Sequence, residues 1–409
     1  RISVEGAVAV AGSFTFSFMD TAATPTVDSI SETSGSAAGG LVVCLKGTRL
    51  LTGNSTGVWI GSARCLPTGT PSPAQLCCIT TAHAVGSASV QLRDVQRGSA
   101  LFTTPLSFSY VTAPSVLSIA PLSGHAGTSV TITGAPTNGP LFKNSSVDLG
   151  GVPATNCVAN SDTELVCTAG ERAPSAAVAV RVTIPSVGLA DVSGATFAYE
   201  IGVASLRLQH SLATADVSAG GRAMLVFEGG GFSHLPQPIA VTVGGKPCPL
   251  VSSSAGIIVC SAPALFSTEG ELDTWGSTSE GANVEISGAS CSPCAVVNYT
   301  LDATPVLLAI SPGSGATGST LAIFATGLTT SAAANQVLVG GAACDVLSAA
   351  EATGAPWTSE PRTVVRVDCV IPLNEAGPQS VRVGQLGRGF DIPRQNFTFT
   401  QHLRLLDFT

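Results

Sequence analysis

Any chemistry in this chain of 409 residues must come from twelve cysteines, five histidines and a thin scatter of carboxylates. The cysteines are even in number and fall mostly in spaced pairs. A reducing cytosol would make that usage costly, so it points to an oxidising compartment and a disulfide framework. Cys291-Ser-Pro-Cys294 has the spacing of a redox or zinc motif. A redox thiol needs a helix N-terminus to lower its pKa, and zinc needs four ligands, with no second pair or nearby histidine on offer. The pair therefore reads as a small disulfide, Cys291 to Cys294, closing a turn between strands. Four sequons, Asn54-Ser-Thr, Asn144-Ser-Ser, Asn298-Tyr-Thr and Asn396-Phe-Thr, fit the secretory route. They mark Asn54, Asn144, Asn298 and Asn396 as acceptors for N-linked glycans.

The remaining candidates lack partners. His83, His125, His210, His234 and His402 share no spacing. A nucleophile needs an adjacent base, and none is indicated, so they read as solvated loop histidines. Glu269, Glu271 and Asp273 crowd one loop rather than facing each other across a cleft, as glycoside hydrolysis requires. Gly313-Ser-Gly-Ala-Thr-Gly318 matches the dinucleotide fingerprint by letter, but that motif works only between a strand and a helix, and Leu321-Ala-Ile-Phe324 follows as a strand. No catalytic, cofactor-binding or metal site is assigned, and the chain is not expected to be an enzyme. Trp275 and Trp357 each end a loop insertion and are candidates for partner contact. Trp59, in an alternating strand, reads as core or half-buried.

Composition excludes whole classes of function. The net charge of −8 is spread along the chain, with no cluster of Lys and Arg to hold phosphates, so nucleic acid is not expected as a partner. No apolar run is long enough to span a bilayer. The chain starts at Arg1 without a signal peptide, as expected of a processed chain or an internal piece. Charged residues make up 11%, too few for salt-bridged helical faces, while hydrophobic residues at 44% can fill real cores. Val, Thr, Ile and Phe recur in short alternating runs, the pattern of half-buried strands.

One pattern recurs at a spacing of roughly 90 to 100 residues, the length of a β-sandwich domain. Pro25-Thr-Val-Asp-Ser-Ile-Ser, Pro114-Ser-Val-Leu-Ser-Ile-Ala-Pro, Ala204-Ser-Leu-Arg-Leu and Pro305-Val-Leu-Leu-Ala-Ile-Ser-Pro open the copies. A turn follows at Ser34-Gly35, Ser123-Gly124, Ala219-Gly220 or Ser314-Gly315. Then comes an alternating strand such as Val130-Thr-Ile-Thr-Gly134, where Val130 and Ile132 should point inward and Thr131 and Thr133 toward water. A hairpin with paired glycines follows, clearest in Thr242-Val-Gly-Gly-Lys-Pro-Cys248 and Leu338-Val-Gly-Gly-Ala-Ala-Cys344. A second cysteine strand and a closing strand, such as Phe108-Ser-Tyr110 or Phe197-Ala-Tyr199, complete each copy.

This order resembles the IPT/TIG immunoglobulin-like family, whose modules occur in plexins, Met-type receptors and fibrocystin-type ectodomains. The resemblance runs from about Ala22 to Thr400 and implies an all-β chain of tandem immunoglobulin-like (IPT/TIG) β-sandwiches in a rod. The implied domains are 21–111, 112–200, 201–302 and 303–400. Residues 1–20 would be the last strands of a preceding domain, and 401–409 the start of a following one. The third copy departs most, lacking the opening Pro and the Ser of Ser-Gly.

The resemblance also implies the pairings Cys157–Cys167, Cys248–Cys260 and Cys344–Cys369. In the first copy Cys65 takes the usual hairpin role and Cys44 is extra. Adjacent strand residues face opposite sides, so Cys77 and Cys78 can serve two partners. Cys65–Cys77 with Cys44–Cys78 is favoured, and the exchange stays open. The expected function is a non-catalytic, extracellular structural and interaction array within a large cell-surface or secreted glycoprotein, serving adhesion or filament assembly. A ciliary surface would suit the Lys-poor, Ala- and Gly-rich composition. A ligand-binding receptor ectodomain and accessory domains of a secreted carbohydrate-active enzyme are the alternatives. Protein partners or neighbouring modules would be its contacts, and no cofactor is expected.

Overall fold

The structure is a computed structural model that describes residues 24–50, 56–94, 98–135, 144–209, 216–266, 271, 279–354, 356, 360–392 and 395–400. These residues form strands, turns and loops, with two three-residue 3₁₀ turns at Phe232–His234 and Ala332–Ala334. Two compact units emerge. One holds Arg1–Pro121, Ser129–Thr168 and Ala179–Thr196, and the other Leu122–Thr128, Ala169–Val178 and Phe197–Thr409. No helix among the described residues is long and apolar enough to cross a membrane.

Strands close into paired sheets four times over. In the third sandwich Gly202–Leu208, Met224–Gly230, Ile257–Ser261 and Leu250–Ser253 form one sheet. Asp216–Ser218, Ala295–Thr300, Ser279–Ile286, Val241–Val243 and Lys246–Pro247 form the other. The second sandwich repeats this order with Val116–Ala120, Ser129–Gly134, Glu164–Thr168 and Thr155–Ser161 in one sheet. In the first and fourth, one long strand, Ala63–Ser72 or Ala342–Glu351, leaves one sheet and enters the other. Cys65 pairs back to Val58 while Leu66 pairs with Ile79, and Cys344 pairs with Val337 while Asp345 pairs with Val370. Strands that switch sheets in this way make the corners of a sandwich.

The opening segment of every copy divides in the same manner. Its first part lies antiparallel to the next strand, as Ile119 does opposite Ile132. The short piece after it crosses to the other sheet and runs parallel to the closing strand. The partners there are Ser34 with Ser109, Ser123 with Ala198, Asp216 with Asn298 and Ser314 with Thr398. The glycine-rich segment at 313–318 thus contains the strand piece Ser314–Gly315, and Thr320–Thr326 follows as a strand.

Alternation fills the cores. Val130 and Ile132 are fully buried, as are Phe108, Phe197 and Val297 on the closing strands. Thr131 and Thr133 are half-buried rather than open to water, because their strand is flanked on both sides. The paired glycines make the expected primed turn, with φ of 56° at Gly244 and 75° at Gly245. Tyr299 caps the third core and donates its hydroxyl to the Pro263 carbonyl at 2.7 Å.

Six disulfides join the described cysteines: Cys44–Cys77, Cys65–Cys78, Cys157–Cys167, Cys248–Cys260, Cys291–Cys294 and Cys344–Cys369. The first copy corrects the favoured assignment of Cys65 to Cys77 and Cys44 to Cys78. Side-chain direction decides it. Cys65 and Cys78 both point into the core at 2% and 1% exposure, whereas Cys44 and Cys77 lie directly opposite each other on the outer face.

Candidate functional site: the joints between sandwiches

The proposed contact and modification residues are dispersed. Asn144 is exposed in a turn with φ 58°, and Asn298 is exposed on a closing strand. The backbone of Asn396 lies in the strand Gln395–Phe399, while its side chain is outside the described residues. Asn54, Trp275, Trp357, His210 and His402 also lie outside them. Trp59 is half-buried, with the guanidinium of Arg93 5.6 Å and that of Arg64 6.0 Å from its ring centre. His83 stacks on Tyr110 at 4.7 Å. Burial raises the Tyr110 phenol above its ordinary pKa. Among the described residues no group of three or more His, Cys, Asp or Glu side chains could hold a metal ion.

What the fold does bring together are residues at the ends of successive sandwiches. After its Ser-Gly piece the first sandwich continues Ser36-Ala-Ala-Gly39, and the third has Ser218-Ala-Gly-Gly221 at the same place. Opposite them stand short hairpins of the following sandwiches. One pairs Thr183 with Leu189 and Ile184 with Gly188; the other pairs Gly384 with Phe390 and Gln385 with Gly389.

At the first of these joints Ser36 N donates to Val187 O at 2.7 Å, and Leu189 N donates to Gly39 O at 2.7 Å. Ser36 Oγ donates to Leu189 O at 2.6 Å and accepts from Ala38 N at 3.1 Å. The second joint repeats all four bonds. Ser218 N reaches Arg388 O at 2.8 Å, and Phe390 N reaches Gly221 O at 2.9 Å. Ser218 Oγ donates to Phe390 O at 2.5 Å and accepts from Gly220 N at 3.1 Å. Both serines are fully buried. The backbones approach so closely that only glycine fits. A Cβ at Gly188 (φ 111°) would lie 2.4 Å from Gly39 O, and one at Gly389 (φ 103°) would lie 2.2 Å from Gly221 O.

The joint of the third and fourth sandwiches has further ties. Ala219 and Ile392 form a small buried cluster with Leu265, Phe266, Leu301 and Val306. Ala219 N donates to Thr304 Oγ1 at 2.8 Å, and Arg362 donates to Thr304 O at 3.0 Å. Just after the hairpin, Asp391 Oδ1 accepts from Arg382 Nε at 2.9 Å and from Val383 N at 3.0 Å. Arg382 and Asp391 are 13% and 1% exposed at the side chain, so the pair is desolvated.

The second and third sandwiches meet differently. His125 and Ala126 lie against Gly230, and Ser233 Oγ donates to Glu171 at 3.0 Å with His234 3.8 Å from the same carboxylate. Among its described residues the third sandwich has no hairpin like those of its neighbours. It turns directly after Ile286, and the Cys291–Cys294 disulfide occupies the loop. The sequence reading missed the joints and the Arg382–Asp391 pair. Recurrence of Ser-Ala-x-Gly was the available signal.

Comparison with known proteins places these features. The IPT/TIG domain family model matches residues 25–110 and 114–199. Fibrocystin-L of Mus musculus is 29% identical over 330 residues, and fibrocystin-L of Homo sapiens 26% over 332, in each case 80% of this chain. The chain spans 7% of the length of either relative. Among solved structures, the plexin A4 full extracellular region aligns with 92% of this chain and 31% of its own, at 17% identity and a TM-score of 0.30. With the sandwiches, their shared strand order and the two matched segments established, the chain carries tandem IPT/TIG domains, at residues 25–110 and 114–199.

Proposed function

We propose that the chain is an extracellular, non-catalytic stretch of a large cell-surface or secreted glycoprotein, in which serial sandwiches serve adhesion or filament assembly. On this reading the third and fourth sandwiches, 201–302 and 303–400, are further modules of the same type. They share the short parallel piece beside the closing strand and the cysteine strand with both matched copies, and the paired-glycine turn with the second. The observation that supports it most is that every described cysteine is taken up in a disulfide. Such a framework persists in oxidising compartments and stabilises each domain by roughly 2–4 kcal/mol per link. On this reading the exposed Asn144 and Asn298 carry N-linked glycans. The test is expression of the chain through a secretory route, followed by unreduced mass spectrometry and sedimentation velocity. Six disulfides, glycan at Asn144 and Asn298, and concentration-dependent self-association support the reading. Free thiols in the secreted chain contradict its placement. A strictly monomeric chain contradicts filament assembly and favours a receptor ectodomain.

A further inference from the structure

We propose that the Cys44–Cys77 disulfide on the outer face of the first sandwich is a thiol-exchange site, where a small external monothiol forms a mixed disulfide with Cys44 and releases Cys77 as a thiolate. The bond is additional to the repeated framework. Cys44 stands opposite Cys77 in the register where the other sandwiches place Thr131 opposite Val166, Val226 opposite Val259 and Ala322 opposite Asp368. Those sandwiches hold the same strand pair together with no covalent link at this position. The backbone N and O of Cys44 both turn away from Cys77. The first donates to Ser31 Oγ and the second accepts from Ser31 N, each at 2.9 Å. The two cysteines are therefore a non-hydrogen-bonded pair, and the ladder bonds lie at the flanking pairs, Val43 with Cys78 and Leu45 with Leu76. Opening the disulfide leaves that ladder, and the core bond Cys65–Cys78 beside it, in place.

Access and polarity select this bond and its leaving sulfur. Both cysteines are half-exposed, whereas four of the other disulfides each hold a cysteine no more than 1% exposed. Cys291–Cys294 is half-exposed too, but Ser292 within its loop donates to the Glu285 carboxylate at 3.2 Å, and that negative charge opposes a thiolate there. Gln75 Nε2 donates to Cys77 Sγ at 3.3 Å. Lys46 lies opposite Gln75 in register, exposed and on the same face as Cys44 by strand alternation. A donor on the sulfur and a nearby ammonium both favour thiolate, and the sulfur that better carries negative charge leaves faster. The line of attack on Cys44 passes Ser31, which is small and exposed. The incoming thiolate bonds to Cys44 Sγ, the S–S bond breaks, and its electron pair goes to Cys77 Sγ. Return attack by Cys77 on the mixed disulfide expels the monothiol, so no further oxidant or reductant enters.

The probe is reduced glutathione, added to the oxidised intact chain under native, mildly alkaline conditions, with thiols trapped by N-ethylmaleimide and the unreduced peptides mapped. The expected product carries glutathione on Cys44 and the maleimide on Cys77, and forms about tenfold faster or more than any product at another disulfide. Gln75→Leu and Lys46→Gln should each slow it by about threefold, with Cys65–Cys78 intact in both. Glutathione found mainly on Cys77, with Cys44 trapped, overturns the assignment of the leaving sulfur. Opening of Cys291–Cys294 or of a core disulfide as fast as Cys44–Cys77 overturns the site, as does an unchanged rate in both variants.

Discussion

Ser218 donates its hydroxyl to the carbonyl of Phe390, which belongs to the following sandwich, and is itself fully buried. Ser36 and Leu189 repeat that relationship at the preceding equivalent joint. A buried hydroxyl that both donates across a boundary and accepts from its own turn fixes the turn and the neighbour together. Ser218→Ala leaves the Phe390 carbonyl and the Gly220 amide without that partner. We predict a loss of about 1–3 kcal/mol at the joint, the usual cost of orphaned buried polar groups. Faster hydrogen exchange at Phe390, with Phe227 of the third core unaffected, checks it.

Gly389 tests the same joint through shape. An added Cβ would sit 2.2 Å from Gly221 O, at a φ of 103°. Gly389→Val should separate the third and fourth sandwiches while leaving each core folded. Backbone strain alone contributes roughly 1–3 kcal/mol against the native arrangement. Limited proteolysis should then cut within 301–305 faster than in the parent chain, at unchanged near-ultraviolet circular dichroism.

The Arg382–Asp391 pair is desolvated, so removing one member leaves a buried charge. Asp391→Ala is predicted to destabilise the fourth sandwich by about 3–5 kcal/mol in chemical denaturation. Replacing both with apolar residues, as Arg382→Met with Asp391→Leu, should cost much less.

Tyr299 gives a pH dependence. Burial raises its phenol pKa well above the usual tyrosine range, so the folded state disfavours tyrosinate. Once pH exceeds the ordinary value of 10.0, the unfolded chain loses a proton that the folded chain keeps. Stability of the third sandwich should therefore be constant below that value and fall above it. Tyr299→Phe should flatten the alkaline limb and cost about 0.5–1.5 kcal/mol near neutrality through loss of the bond to Pro263. Thermal melts across an alkaline pH series read both effects.

The disulfide assignment in the first sandwich is open to a direct check. With Cys44 bonded to Cys77, Cys44→Ser should free a half-exposed thiol at Cys77 that labels readily under native conditions. The core pair Cys65–Cys78 should stay intact. Cys65→Ser should instead expose a buried thiol at Cys78 that labels only on unfolding.

The strand order was legible because each strand announces itself locally. Val130 and Ile132 alternate with threonines, and Gly244-Gly245 can hardly be anything but a tight turn. The cysteine strands were legible because their spacing repeats. The partner of Cys65 was not, since Cys77 and Cys78 are neighbours in sequence, and only the facing of the strand separates them. The joints were hidden for another reason. Half of their bonds run between backbone groups, of Ser36 and Val187, Leu189 and Gly39, or Phe390 and Gly221, and only the short Ser-Ala-x-Gly recurrence marks them in the sequence. The Arg382–Asp391 pair carries no sequence mark, because Arg382 lies on the preceding strand and their shared burial depends on the sheet.

The most direct test of serial sandwiches locked by a repeated backbone joint is residue-resolved hydrogen exchange of the intact chain at Leu189 and Phe390. The account predicts that both amides exchange as slowly as ladder amides such as Ala190 and Asp391, which donate to Val182 O and Val383 O. Exchange of either at the rate of an unprotected loop, with those ladder amides still slow, would contradict it.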